Sequence, residues 1–223
     1  MSVAAIVVAA GSGERLGLGL PKALVGLHGR TILDWTVTAF AEHPDVHELV
    51  VVAPASAVAA VTESLAGCPV PVVTVPGGRT RSDSVRRGLA ALSGQAEFVL
   101  VHDAARPLVP ARVTAEVVAA LRAGSEAVVP ILPVVDTVKR VVDGTVRETV
   151  DRTELCRVQT PQGFRTSTLR AAYAAAPELV ATDDAGVVEA HGVKVDTVAG
   201  AEQAFKITTP YDLRLAEQLL AER

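Results

Sequence analysis

The sequence predicts an α/β fold in which a mainly parallel sheet carries helices on both faces and one β-hairpin projects as an arm. Three observations lead there. Short β-branched runs recur up to Leu132. Stretches of helical periodicity separate them, the pattern of βαβ units and a parallel sheet. The rhythm then breaks at a Val- and Thr-rich segment with Asp143-Gly144 at its middle, the strongest short-range hairpin signal.

Taken in order, Val3 to Ala9 reads as a strand buried on both faces, because it is apolar without alternation. A helix is expected from Thr31 to His43, where Thr31 and Asp34 have capping-box spacing. Further strands are expected at Glu48–Ala53, Pro71–Val75, Phe98–His102 and Ala127–Leu132, with helices over 55–66, 82–92 and 110–123 between them. Residues 134–158 form the arm, since a charged hairpin adds nothing to a buried parallel core. Helical pattern resumes at Ser167, "VKVDTVAG" adds a late strand, and a terminal helix starts at Thr209 with Pro210 in its first turn. One domain, 1–223, is expected, with its ligand crevice at the carboxyl ends of the strands.

Composition narrows the function. Hydrophobic residues make up 49% but aromatics only 3%, so the core is aliphatic and base stacking is not the mode of recognition. With a formal charge of -4 there is no basic field for nucleic acid, and an anionic ligand must be met by local cations and backbone amides. Cys68 and Cys156 match no metal or redox spacing and read as reduced packing residues. His28, His43, His47, His102 and His191 show no metal spacing and read as solvated or capped. The apolar N-terminus lacks a charged leader and meets glycine after about ten residues, so neither a signal peptide nor a membrane span is expected, and the reading is a soluble cytoplasmic protein.

Several segments can carry chemistry. In "AAGSGERLGLGLPK", Gly11, Gly13 and Gly17 are one residue too widely spaced for a dinucleotide fingerprint, and Lys22 lacks the Ser or Thr of a P-loop. What remains is a turn of free N–H groups beside Arg15 and Lys22, suited to a highly charged phosphate chain or else a solvated surface loop. In "VHDAARPLV", Asp103 at a strand end suits a divalent cation or a sugar hydroxyl, and Arg106 a second anion; a helix cap with a surface Arg is the plainer alternative. Gly77-Gly78 with Ser82, Asp83 and Ser84 offers hydrogen bonds to a base edge, or ordinary capping. Lys206, between Phe205 and Ile207, needs a carboxylate or phosphate if it faces inward, and "TDD" at 182–184 is most simply a helix cap.

Together "AAGSGERLG…PK", "VHDAARP", "DTVK", "TVDR", "QTPQGF", "TDDAG" and "FKITTPYDL" closely resemble the 2-C-methyl-D-erythritol 4-phosphate cytidylyltransferase family of the non-mevalonate isoprenoid pathway, in its order and spacing. The resemblance implies a Rossmann-like fold of nucleotidyltransferase type. It implies that the backbone of Ala9, Ala10, Gly11, Ser12 and Gly13, with Arg15 and Lys22, holds the CTP triphosphate, while Gly78 and Ser84 read cytosine. Asp103 would sit by the ribose and Mg²⁺; Arg106, Thr137, Arg152 and Thr160 would hold methylerythritol phosphate; Lys206 would join Arg15 and Lys22 as catalytic cations. The arm would clasp a second subunit, with Arg152 and Thr160 acting across a homodimer interface. "TDDAG" stands where the family commonly has "TDEAS", which leaves Asp184 and Gly186 without a transferred role, and Ala204-Phe205 replace a frequent Asn-Ile.

The implied reaction is CTP plus the polyol phosphate giving the CDP-alcohol and pyrophosphate. An already ionised phosphate is the nucleophile, so charge neutralisation is required and a general base is not. The alternatives are a ribitol 5-phosphate cytidylyltransferase, which shares most motifs, and a non-catalytic nucleotide-binding α/β protein. A Rossmann oxidoreductase is disfavoured by the glycine spacing and the missing ribose-binding acid.

Overall fold

A computed structural model describes residues 2–11, 16, 21–179 and 181–222. The chain opens with β1 (Val3–Val8), then a small ribbon of β2 (Gly26–Leu27) and β3 (Arg30–Thr31), and α1 (Ile32–Ala41). The Thr31 hydroxyl accepts from Asp34 N–H while the Asp34 carboxylate accepts from Thr31 N–H, so the expected capping box starts α1. Next come β4 (Val46–Ala53), α2 (Val58–Ser64), β5 (Val72–Pro76), α3 (Arg81–Ala91), β6 (Phe98–Asp103), α4 (Ala111–Arg122) and β7 (Ala127–Pro133). A second capping box, between Thr80 and Asp83, begins α3.

β8 (Val138–Val142) and β9 (Thr145–Val150) then form the hairpin. Its turn residues Asp143 and Gly144 have φ of 50° and 72°, the left-handed values that a two-residue hairpin turn of type I′ demands. The chain returns through β10 (Cys156–Val158), β11 (Gln162–Arg165), α5 (Thr166–Ala175), α6 (Asp184–Ala190), β12 (Val195–Ala199) and α7 (Pro210–Ala221).

The main sheet is mixed and mostly parallel. β1 lies between β4 and β6, β5 flanks β4, and β12 flanks β7, all in parallel register. β11 runs antiparallel between β6 and β7, and β10 continues along β7 beyond it. Alternation along β1 feeds two cores: Val3, Ala5 and Val7 pack with α1 and α4, Ala4 and Ile6 with α3, α5 and α6. Phe40, Phe98 and Phe164 are fully buried among these aliphatics, each contributing about 1.5–3 kcal/mol. A third cluster seats α7 through Ala216 and Leu220 against Leu27, Ile32 and Ile207, which fixes the segment bearing Lys206.

Four expectations need correction. The arm is narrower than 134–158, because Cys156–Val158 pairs with β7 in the main sheet. Cys156 is exposed there, whereas Cys68 packs against the core as expected. β11 was not foreseen: four residues containing Gln and Gly show no strand pattern, yet Gly163 is required, since a Cβ would lie 2.4 Å from Val117 Cγ1. Finally, His43 and His102 are buried rather than solvated.

Candidate active site

The carboxyl ends of β1, β5 and β6 open into a cavity of about 400 Å³. Ala9, Ala10 and Gly11 edge it, together with Lys22, Gly78, Ser84, Asp103 and Lys206. A second cavity of about 300 Å³ lies beside it, walled by Arg106, Gln159, Thr160, Gln162 and Asp183. Arg81, Asp103 and Lys206 line both and form the partition between them.

Asp103 ends β6, and its side chain is 12% exposed. Its Oδ2 accepts from Lys206 Nζ at 2.8 Å and its Oδ1 from Arg81 Nε at 3.3 Å. Burial alone would raise its pKa, but Arg81 and then Lys206 outweigh that and hold it well below the usual carboxylate range. Lys206 thus has the carboxylate partner its apolar neighbours called for. Arg81 also donates Nη2 to Asp184 Oδ2 at 2.7 Å. Burial pulls the Arg81 pKa down, while Asp184 and then Asp103 carry it above its ordinary value.

The backbone on the nucleotide side is set by close approach. Gly77 N–H donates to Ala53 O, and a Cβ at Gly77 would lie 2.3 Å from Ala10 Cβ. Gly78 N–H donates to Ser84 Oγ at 3.1 Å, and the hydroxyl passes its own hydrogen to Thr80 O. Lys22 Nζ donates to Ile207 O at 3.0 Å, which ties the glycine-rich segment to the Lys206 segment.

On the other side, Arg106 Nη1 donates to Ala204 O at 2.7 Å, while its buried Nε has no hydrogen-bond partner among the described residues. Burial pushes the Arg106 pKa down against the pull of Asp103. Thr160 Oγ1 accepts from Asp103 N–H at 3.1 Å and lies 3.0 Å from His102 Nδ1. His102 Nε2 lies 3.2 Å from Arg106 O, an acceptor only, so Nε2 carries the hydrogen and Nδ1 accepts from Thr160. Burial pushes the His102 pKa down to about 3, so the ring is neutral.

Most sequence-derived candidates therefore converge. Ala9, Ala10, Gly11, Lys22, Gly78, Ser84, Asp103, Arg106, Thr160 and Lys206 all line one or both cavities. Thr160 does so within its own chain. Ser12, Gly13 and Arg15 lie outside the described residues. Thr137 and Arg152 are exposed at the base of the arm, where Arg152 Nη1 donates to Val135 O, and neither lines either of these two cavities. Asp183 caps α6 by accepting from Gly186 N–H at 3.0 Å, as the plain reading of "TDD" had it. Sequence reasoning missed Arg81, His102 and Asp184. Only an inward-facing polar residue in an apolar run, the signal used for Lys206, was available for His102 in "FVLVHD".

Among the described residues no group of three or more His, Cys, Asp or Glu is arranged to hold a metal ion, and no helix is long and apolar enough to cross a membrane.

Comparison with known proteins agrees with this geometry. The chain is 52% identical over 225 residues to 2-C-methyl-D-erythritol 4-phosphate cytidylyltransferase of Saccharopolyspora erythraea, covering 99% of this chain and 100% of that one. The crystal structure of the Thermus thermophilus protein of the same name superposes with a TM-score of 0.82 at 41% identity, covering 99% and 100% of the two chains. The 4-diphosphocytidyl-2C-methyl-D-erythritol synthase of Anaerococcus prevotii gives 0.86 at 30% identity, covering 99% and 98%. The family model for 2-C-methyl-D-erythritol 4-phosphate cytidylyltransferase, IspD, matches residues 3–222. Sequence, fold and relatives lead to one conclusion, that this chain belongs to the 2-C-methyl-D-erythritol 4-phosphate cytidylyltransferase family.

Proposed function

We propose that the chain transfers the cytidylyl group of CTP to 2-C-methyl-D-erythritol 4-phosphate, releasing pyrophosphate, in isoprenoid precursor biosynthesis. The observation that carries this reading is the pair of cavities divided by Arg81, Asp103 and Lys206. Two anionic reactants can occupy neighbouring chambers and meet at a wall with two cations.

In this reading the amides of Ala9 to Gly13, with Arg15 and Lys22, cradle the triphosphate, and Gly78 with Ser84 reads the base. Arg106 and Thr160, which line the second cavity, face the acceptor phosphate. An oxygen of the acceptor monoester attacks the α-phosphorus in line. The new P–O bond forms as the bond to the β-phosphate oxygen breaks, and pyrophosphate leaves with that electron pair. No proton need move. Arg15, Lys22 and Lys206 hold the phosphates together and stabilise charge at the five-coordinate phosphorus.

The donor set suits Mg²⁺. That ion uses one or two carboxylates and completes its shell with phosphate oxygens and water, and Asp103 offers one carboxylate beside the nucleotide cavity. When bound, Mg²⁺ would offset phosphate charge during transfer. The homodimer reading rests on the arm, whose Val135, Val141, Val142 and Val146 are 43–65% exposed. Thr137 and Arg152, at its base, are read as acting on the partner's acceptor.

The test is pyrophosphate release from purified protein. Release that requires CTP, the methylerythritol phosphate and Mg²⁺ together supports the reading. Faster turnover of ribitol 5-phosphate under the same conditions would replace the acceptor, and no release with either would remove the enzyme assignment.

A further inference from the structure

We propose that Asp184, assisted by Tyr173, is a positioning residue for the transfer reaction, acting through Arg81 on the wall between the two cavities. The inference rests on the assignment of the active site given above. It adds a residue that touches neither chamber.

Asp184 is 0% exposed. Every polar group it presents is engaged. Oδ2 accepts from Arg81 Nη2 at 2.7 Å, Oδ1 accepts from Tyr173 Oη–H at 2.6 Å, and the main-chain N–H donates to Gln162 Oε1 at 3.0 Å. Tyr173 is itself buried in the core formed with α5 and α6. Burial, and next the charge of Asp184, pushes its pKa up, so the phenol keeps the hydrogen that it donates. Gln162 Oε1 also accepts from Ala185 N–H, and Gln162 Nε2 donates to Asp183, so the start of α6 is clamped to β11.

This is a built anchor, and its purpose follows from what Arg81 touches next. Arg81 Nε donates to Asp103 Oδ1, whose other oxygen takes Lys206. Arg81 Nη1 makes no hydrogen bond among the described residues. The guanidinium is planar and rigid, so fixing Nη2 on Asp184 fixes the direction of Nε and Nη1 as well. Asp184 also supplies a second counter-charge. Without it, Arg81 would be left to Asp103 alone and would be drawn onto the carboxylate that also partners Lys206. With it, the cation is shared between a buried anchor and the reacting site.

A group that only filled space would behave differently. Asp184→Asn keeps the volume but removes the charge and turns one acceptor into a donor, facing either Arg81 or Tyr173. We expect kcat to fall by about tenfold or more with the KM for CTP changed less than about threefold, because the lost alignment matters most in the transition state. Asp184→Glu should recover most of the rate. The decisive measurement is a double-mutant cycle on pyrophosphate release: in an Arg81→Ala background, Asp184→Asn should cost less than about twofold further. Should Asp184→Asn fail to fold, Tyr173→Phe enters the same cycle, with a loss of about threefold expected only where Arg81 is present. Equal losses in both backgrounds, or an unchanged kcat in the single variant, would overturn the inference alone. Absence of turnover by the unaltered chain would overturn the transferase reading, and this inference with it.

Discussion

His102 gives the sharpest physical prediction. Its ring is fully buried, packed on Phe40 at 4.7 Å between centroids, and faced by Asp103, Arg106 and Lys206. The neutral tautomer is locked at both ends, with Nε2–H on Arg106 O and Nδ1 accepting from Thr160. Protonating Nδ1 would set N–H against a hydroxyl that is already committed. The folded pKa of about 3 against the ordinary 6.5 means that between these values the unfolded chain binds a proton that the folded chain refuses. Stability must therefore rise with pH across that window and be lost as pH falls. From pH 7 to pH 4.5 the loss is about 2.7 kcal/mol, two units below 6.5 at roughly 1.36 kcal/mol each. The assay is urea unfolding of the chelator-treated protein and of His102→Gln at pH 7.0, 5.5 and 4.5. The other four histidines are common to both proteins, so the difference between their pH profiles isolates His102. Parallel profiles would refute the reasoning.

Three other outcomes are expected. Lys206→Ala should lower kcat on the order of 10²-fold in pyrophosphate release, since it removes a cation from both chambers at once. Gly78→Ala would put a Cβ 2.2 Å from Asp83 Cβ and 3.0 Å from that residue's carbonyl carbon, so the turn must shift. Steady-state kinetics should show the KM for CTP rising about tenfold with the KM for the acceptor little changed. Val141→Glu with Val146→Glu places two charges at directly paired positions of the arm; on the proposed homodimer, sedimentation should give a dimer for the unaltered protein and a monomer for the variant.

What the sequence disclosed was what is decided locally. Thr31 and Asp34 lie within one turn of each other, and Asp143-Gly144 supplies the two left-handed residues of its own turn, so both could be seen without knowing the fold. Lys206 was legible in half: the apolar neighbours demanded a counter-charge, but Asp103 stands 103 residues away. Arg81 and Asp184 are separated by the same distance in sequence, and their side chains are ordinary surface types. Nothing at either position indicates burial. β11 was hidden for another reason, because Gln162 serves as a clamp for α6 and Gly163 makes room for Val117, and neither task uses strand-forming residues.

The partition also bears on inhibition. Its two chambers share Arg81, Asp103 and Lys206 as a common wall, so a single molecule that passes this wall can fill both. On the proposed assignment of nucleotide and acceptor to the two chambers, a compound that tethers a cytidine-like head to a short phosphorylated polyol would bind its second half as an intramolecular event, at an effective concentration in roughly the millimolar range. Its affinity can then exceed that of either fragment by about 10²–10⁴-fold without a new contact. The gain depends on both chambers being present side by side, so a ligand of this kind loses it wherever either chamber is blocked.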